Sequence, residues 1–412
     1  MQFYHNIEND LVIDVNEIRH RQQVIQQMKK HFGLFGYREI HTSPFEEYDL
    51  YVKMNGTVNH KEMIKSIDNT GKALVLRPDI TIPLTQQIAH HNTFITEDLR
   101  YFYVLDVFRQ KQGTESQRYN TQAGVEYFGN PSPEADAEVI YLAIDTLKKI
   151  QFDNLKLELG HAGFFARLIE VMQLEKDDLT LLKQHIQAKN IPEIEQFLKR
   201  VSLNEDIQEV IMALPFLYGE PQAVLEHASK LPLPADVVPA LDSLRSIYDN
   251  LTAYGVEKQV VIDLSLINHM DYYSDMIFQG FIENIGKPII MGGRYDSLAA
   301  QFGANIPASG FAYDLDTLVS HIPSENVEPK AQTDVKIMYD ERVQAVSIQL
   351  AAELRKSAFE TVLYPKERSL AQTPTAKETL YITTSGIKCI DTQEKETFFT
   401  DTDDFMASKR KA

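Results

Sequence analysis

The 412-residue chain is short of several things, and each shortage excludes something. It has one cysteine, Cys389. That rules out an intrachain disulfide framework and a cysteine-based zinc site, and it fits a reducing cytoplasm. No apolar run approaches the roughly eighteen residues of a membrane span, so no span is expected. The start, MQFYHNIENDLVID, has no basic opening followed by an apolar block and does not read as a secretory signal. Positive charge is scarce: 41 Lys plus Arg stand against 59 Asp plus Glu, a formal charge of −18. That balance argues against broad attraction to nucleic acid or anionic lipid. A small anion held by one or two placed arginines stays open. The histidines, among them His90, His91, His161 and His269, form no i,i+4 pair with a carboxylate, so no metal is expected. There is no internal repeat and no low-complexity tract.

What is present is ordinary for a soluble protein, with 43% hydrophobic and 24% charged residues in a chain long enough for two or three domains. Residues 14–33 read as a helix, with Asp14 as N-cap, Glu17 three residues later and Gly33 as the stop. YREIHTSPFEEYDLY reads as a short strand, a break at Pro44 and a helical or extended piece. KALVLRPDITIPLTQQIAHH gives a strand, a turn at Pro78 and a helix opening near Thr81. The alternating runs 100–109 and 120–128, joined by a polar loop with Gly113, make an antiparallel hairpin. Ser132 and Pro133 then open a helix, and NLKLELGH forms the next strand.

Residues 163–255 are helix-like, carry no obvious chemistry and read as an inserted helical subdomain. Strands return at KQVVIDLSL and DMIFQGFI. GKPIIMGGRYDSLAAQFG follows, then a terminal helix from about Pro307 to Ser320. Residues 321–333 are a polar, proline-containing linker. Beyond it, residues 334–412 run strand, helix, strand and suggest a small α/β domain, leaving residues 1–320 as the core.

Side chains alternate across a strand, so Gln122, Gly124 and Glu126 share one face while Ala123, Val125 and Tyr127 share the other. On the first hairpin strand Tyr103, Leu105, Val107 and Arg109 share a face. One sheet surface can therefore carry Arg109, Gln122 and Glu126, with Gly124 leaving room for a ligand. A carboxylate and an amide suit an ammonium group, and an arginine suits a carboxylate or phosphate. The plainer reading is an Arg109–Glu126 pair on a solvated face. RPDIT also has two readings: a turn and helix cap made by Asp79 and Thr81, or a carboxylate and hydroxyl aimed into a pocket. GGRYDSL is a glycine turn feeding a helix or, less commonly for such a turn, an anion nest.

Taken in order, FGYREIHTSPFEEYDLY, LRPDIT, FYVLDVFR, QAGVEYFG, MDYY and GGRYDSL…IPASGFA resemble the catalytic core of class II histidyl-tRNA synthetases over about residues 10–320. The resemblance implies an α+β fold, an antiparallel sheet flanked by helices, dimerising through the segment around Pro44. It implies a histidine pocket, with Asp79, Thr81, Gln122 and Glu126 around the ammonium, Tyr272 and Tyr273 near the imidazole, and Arg109 alongside.

The departures bear on activity. The synthetases read Arg-Gly-Leu-Asp-Tyr-Tyr where this chain has Asn268, His269, Met270, Asp271, Tyr272 and Tyr273. Their Phe-Arg-x-Glu is Phe108-Arg109-Gln110-Lys111 here, and their Glu-Arg-Leu is Asp316-Thr317-Leu318. Adenylate formation puts developing negative charge on phosphate oxygens. Losing one preorganised donor there costs on the order of 10²–10³ in rate. With two arginines gone, binding of histidine without its activation is expected, so no catalytic residue is assigned.

The family with that description is the ATP phosphoribosyltransferase regulatory subunit, and the sequence resembles a member. The resemblance implies a homodimer within a hetero-oligomer with a short-form catalytic subunit, and feedback by histidine. No cofactor is expected on this chain; ATP and magnesium belong to the partner. Residues 331–412 resemble a shortened anticodon-binding domain, yet hold twelve basic against thirteen acidic side chains, so tRNA is not the expected partner. Three rivals stand beside this reading: an active histidine–tRNA ligase, a histidine-sensing protein with another partner, and a structural dimer with a dead pocket.

Overall fold

The computed structural model describes residues 15–52, 54, 58–91, 97–110, 119–267, 272–322, 333–368 and 373–409. The chain divides into two units, Met1–Ile322 and Pro323–Ala412.

The first unit opens with α1 (Val15–Leu34). Gly33 does not stop it. The helix runs one residue further, and the left-handed residue is Gly36, with φ of 81°. The Tyr37 amide bonds back to the Phe32 carbonyl at 3.2 Å, closing the turn. Asp14, the expected N-cap, lies outside the described residues. Then come β1 (Arg38–Glu39), β2 (Phe45–Glu47), α2 (Tyr48–Val52), β3 (Lys65–Ile67), β4 (Ala73–Leu76) and α3 (Thr81–His91). The hairpin is β5 (Leu99–Phe108) and β6 (Tyr119–Phe128), its loop centre at Gly113 lying outside the described residues.

Next is α4 (Pro133–Lys149), which follows from its sequence at both ends. The Ser132 side chain accepts from the Ala135 amide, Pro133 sits at the start, Glu134 and Asp136 lie in the first turn, and Lys148 and Lys149 in the last. β7 (Leu155–His161) leads into α5 (Ala162–Met172), α6 (Lys176–Gln187), α7 (Ile191–Arg200) and α8 (Glu205–Ala213). The short β8 (Tyr218–Gly219) precedes α9 (Pro221–Ser229) and α10 (Val238–Ala253). The unit closes with β9 (Val260–Asp263), β10 (Met276–Ile282), β11 (Ile290–Arg294), α11 (Asp296–Ala300), β12 (Ala308–Asp314) and α12 (Leu315–His321).

Nine strands form one sheet in the order β1-β5-β6-β12-β11-β10-β7-β9-β8. Its pairs are antiparallel except β1 with β5 and β7 with β9. The fold is thus the expected α+β arrangement, with one correction. The terminal helix expected from Pro307 is a strand through Asp314, and only Leu315–His321 are helical. The helices within residues 163–255 pack on the sheet of the same unit. Leu182, Ile186, Phe197 and Ile211 lie in the same buried cluster as the sheet residues Val125, Leu157 and Leu159, and β8 adds a strand to the sheet.

The hairpin register explains the two faces. Tyr103 pairs with Gly124 and Leu105 with Gln122. Ala123, Val125 and Tyr127 turn to the face that buries Val139, Ala143 and Leu147 of α4. Full burial of such aliphatic side chains is worth about 1.5–3 kcal/mol each. The opposite face carries the cavity.

The second unit holds β13 (Thr333–Tyr339), α13 (Gln344–Lys356), β14 (Thr361–Pro365), β15 (Ala376–Thr383), β16 (Gly386–Asp391), β17 (Glu396–Phe399) and α14 (Thr402–Lys409). The sheet order is β14-β13-β15-β16-β17. Val335, Ile337, Leu380 and Ile382 of the sheet bury Leu350 and Leu354 of α13 and Phe405 of α14. Cys389 is buried in the same core.

Candidate functional site

A cavity of about 440 Å³ lies on the sheet face away from α4. Asp79, Thr81, Arg109, Gln122, Glu126, Tyr272 and Tyr273 all line it, brought together from four separate stretches of chain.

Glu126 forms its floor at 2% exposure. It accepts hydrogen bonds from the Thr81 hydroxyl at 2.7 Å and from the Tyr295 phenol. Burial pushes its carboxyl up to about 8, against the pull of those hydroxyls and with the charge of Asp79 adding to the rise. A buried carboxylate held by neutral donors is a strong acceptor for a cation, and without one it favours its neutral form.

Asp79 serves both readings of RPDIT. Oδ1 accepts from the Ile82 amide at 2.9 Å and so starts α3, while the side chain also lines the cavity. Its carboxyl is raised by burial, with Arg109 opposing. Arg109 donates from Nε to the Pro78 carbonyl at 2.8 Å and stands 3.8 Å from Asp79 Oδ2. The pair considered between Arg109 and Glu126 does not form: each has its own partners.

The room above Gly124 is not left for a ligand. A Cβ there would sit 2.5 Å from the Tyr103 hydroxyl, because that phenol lies on the glycine. Gly293 plays the same part for Tyr273, whose ring a Cβ would approach to 2.7 Å. The glycines of GGRYDSL are therefore strand residues that admit an aromatic ring, not a turn or an anion nest. Arg294 beside them is buried and pairs with Asp136 at 2.6 Å.

Tyr272 and Tyr273 stack at a tilt, with ring centroids 4.7 Å apart, and Tyr295 meets Tyr272 edge-on at 6.0 Å. Burial raises all these phenols, so they stay neutral donors and acceptors. Tyr103 and Tyr295 are the site residues that sequence reasoning passed over. Alternation along β5 already put Tyr103 on the right face. No local signal marks Tyr295, which depends on β12 lying between β11 and β6.

The outer end differs. Asp316 accepts from Arg21 at 2.6 Å and from the Thr121 amide at 2.8 Å. Asp314 is held by Lys287 at 2.8 Å, by Asn120 at 2.8 Å and by Thr317. Among the described residues lining the cavity, Arg109 and Lys287 are the cations, against four carboxylates. Asn268, His269, Met270, Asp271 and Lys111 lie outside the described residues. The deep end thus combines buried carboxylates with aromatic rings, and the outer wall combines two carboxylates with Lys287 and Thr317.

Sheet, flanking helices and cavity define a protein of the class II histidyl-tRNA synthetase type, and the family model described as histidyl-tRNA synthetase matches residues 13–318. A histidyl-tRNA synthetase structure from Nostoc shares the fold, with TM-score 0.76 and 17% identity over 96% of both chains. Within that class, the chain belongs to the family of ATP phosphoribosyltransferase regulatory subunits. It is 40% identical to the Oceanobacillus iheyensis protein of that name over 85% of each chain. The Acetivibrio thermocellus protein is 34% identical, over 84% of this chain and 82% of its own. A Bacillus halodurans structure titled as an ATP phosphoribosyltransferase regulatory subunit/histidyl-tRNA synthetase superposes with TM-score 0.75 at 29% identity, covering 86% of this chain and 90% of its own.

Proposed function

We propose that this protein is the non-catalytic, regulatory component of an ATP phosphoribosyltransferase, acting in the cytoplasm. It binds L-histidine in the cavity around Glu126. Its partner is a short-form catalytic subunit, on which ATP, phosphoribosyl diphosphate and magnesium react, and it relays feedback inhibition by histidine to that partner. The chain itself forms a homodimer within the assembly.

The observation that carries this reading is the contrast within one cavity. Its deep end joins two buried carboxylates, a threonine hydroxyl and four phenols. Such a set suits an ammonium and a flat polar ring. The outer end presents Asp316 and Thr317, where the synthetases carry the arginine that meets a phosphate. Arg109 remains for the ligand carboxylate. A pocket of this kind holds an amino acid and has little with which to stabilise a phosphoryl transition state.

Feedback also requires that histidine bind two states of the complex unequally. The test is co-expression with a short-form catalytic subunit, followed by assay of phosphoribosyl transfer with and without histidine. Activity that depends on this chain and falls with histidine is the expected outcome. Robust histidine-dependent ATP–pyrophosphate exchange by this chain alone would instead establish a ligase.

A further inference from the structure

Arg77 is a buried guanidinium, 4% exposed, whose partners among the described residues are main-chain carbonyls and one hydroxyl, with no acid. Nη1 donates to the Thr42 carbonyl at 2.8 Å, to the Thr42 hydroxyl at 3.1 Å and to the Ser43 carbonyl at 3.2 Å. Nε and Nη2 donate to the Asp106 carbonyl at 3.1 and 2.7 Å. Its own amide donates to the Pro44 carbonyl at 2.9 Å, and its carbonyl accepts from the Phe108 amide at 2.9 Å. One residue thus fastens three stretches of backbone: 42–44, 76–78 and 106–108.

Two of those stretches run straight into the cavity wall. Pro78, the next residue, receives Arg109, and Asp79 follows it. The third stretch leads outward. Ser43, Pro44, Phe45 and Glu47 are exposed, Phe45 to 48%. Holding such a junction with a buried charge is costly, since well-packed apolar side chains often do as well or better. What an arginine adds is a planar fork that can grip acceptors on different segments at once.

A second arrangement lies close by. Glu46 Oε1 and the Tyr51 hydroxyl are buried and have no hydrogen-bond partner among the described residues. Both feel the charge of Arg77, and burial pushes the Glu46 carboxyl up to about 7. Two uncommitted polar groups therefore follow closely in sequence on the stretch whose carbonyls Arg77 holds. A junction with a second set of acceptors beside it is one that a ligand can bias.

We propose that Arg77 is a positioning residue that couples the amine end of the cavity to the exposed segment 43–47. A cation arriving at Asp79 and Glu126 draws Asp79 toward itself and shifts the 77–79 corner. Arg77 transmits that shift to the carbonyls of Thr42 and Ser43. The inference rests on the proposed histidine site and adds the route by which occupancy reaches the surface.

The test is amide hydrogen exchange on the full chain, following a peptide that spans residues 42–52, with and without L-histidine. Calorimetric titration is run on the same samples. In the wild type, histidine slows exchange in that peptide by roughly five-fold or more, the lower range of allosteric couplings. In Arg77→Met, histidine still binds within about ten-fold of wild type, a loss of about 1.4 kcal/mol or less, but the peptide no longer responds. Arg77→Lys behaves the same way, because one ammonium cannot reach both Asp106 and Thr42; it serves where the methionine variant does not fold. A wild-type peptide that ignores histidine while heat of binding is seen overturns the coupling, as does a response retained in either variant. Absence of any heat in the wild type removes the histidine site itself.

Discussion

The two ends of one cavity have opposite character. At the deep end Glu126 and Asp79 are buried, and among the described residues the one ion pair either makes is that of Asp79 with Arg109 at 3.8 Å. At the outer end Asp314 and Asp316 are carboxylates too, but each is held by a cation and by neutral donors. The lesson is that charge alone does not mark a binding end. A carboxylate already paired has little left to offer, whereas a desolvated one without a counter-ion gains most from an incoming ammonium.

The comparison breaks most sharply at Glu126. With histidine bound as proposed, Glu126→Ala removes the counter-charge of its ammonium, and calorimetry should show L-histidine affinity falling on the order of 10²–10³-fold, as losing one partner of a buried pair costs about 3–5 kcal/mol. Affinity unchanged within a factor of three would place the ammonium elsewhere.

A second test uses pH. The Glu126 carboxyl is raised from its ordinary value to about 8. The empty folded chain therefore holds a proton that the unfolded chain gives up above the ordinary carboxyl range. That contribution to stability is present at low pH and is lost as pH rises through about 8. An ammonium ligand needs the charged form, so its binding releases a proton near neutrality. Thermal shift on adding histidine should grow from pH 6 to pH 8, and binding enthalpy at pH 7 should vary with buffer ionisation heat. Glu126→Gln should flatten both. Equal shifts at the two pH values in wild type would contradict the assignment.

Gly124→Ala sharpens the picture at the rings. A methyl there collides with the Tyr103 phenol and with the Phe311 carbonyl. Overpacking of this kind costs about 1–3 kcal/mol. The measurements are urea denaturation and histidine titration, and affinity should fall along with stability.

The smallest effect belongs to the outer end. Asp316→Asn leaves Arg21 without its ion pair at a half-exposed position. It should lower stability by about 1 kcal/mol or less and leave histidine affinity within about two-fold. A large loss of affinity would show that the outer wall takes part in binding.

Much of the site could be read beforehand because alternation is local. Gln122, Gly124 and Glu126 had to share a face once the hairpin was recognised, and Asp79 and Thr81 followed from a turn opening a helix. The errors have physical causes. Ala308–Asp314 reads ASGFAYD, with four small residues among its seven and no β-branched one, and its strand pairs with β6 and β11 on either side. Gly33 looked like a stop, but the turn needed its left-handed residue three positions later. The helices of 163–255 showed their apolar faces, yet nothing local said that these faces share a core with the sheet.

The sequence by itself determined which residues could meet an amine and which cations were missing, because residue chemistry and strand alternation are properties of the chain. Only the tertiary structure decided that Tyr295 reaches Glu126, that Tyr103 fills the space over Gly124, and that Arg77 joins the cavity wall to an exposed segment. Those contacts join residues far apart in sequence. They exist because a nine-stranded order places distant strands side by side.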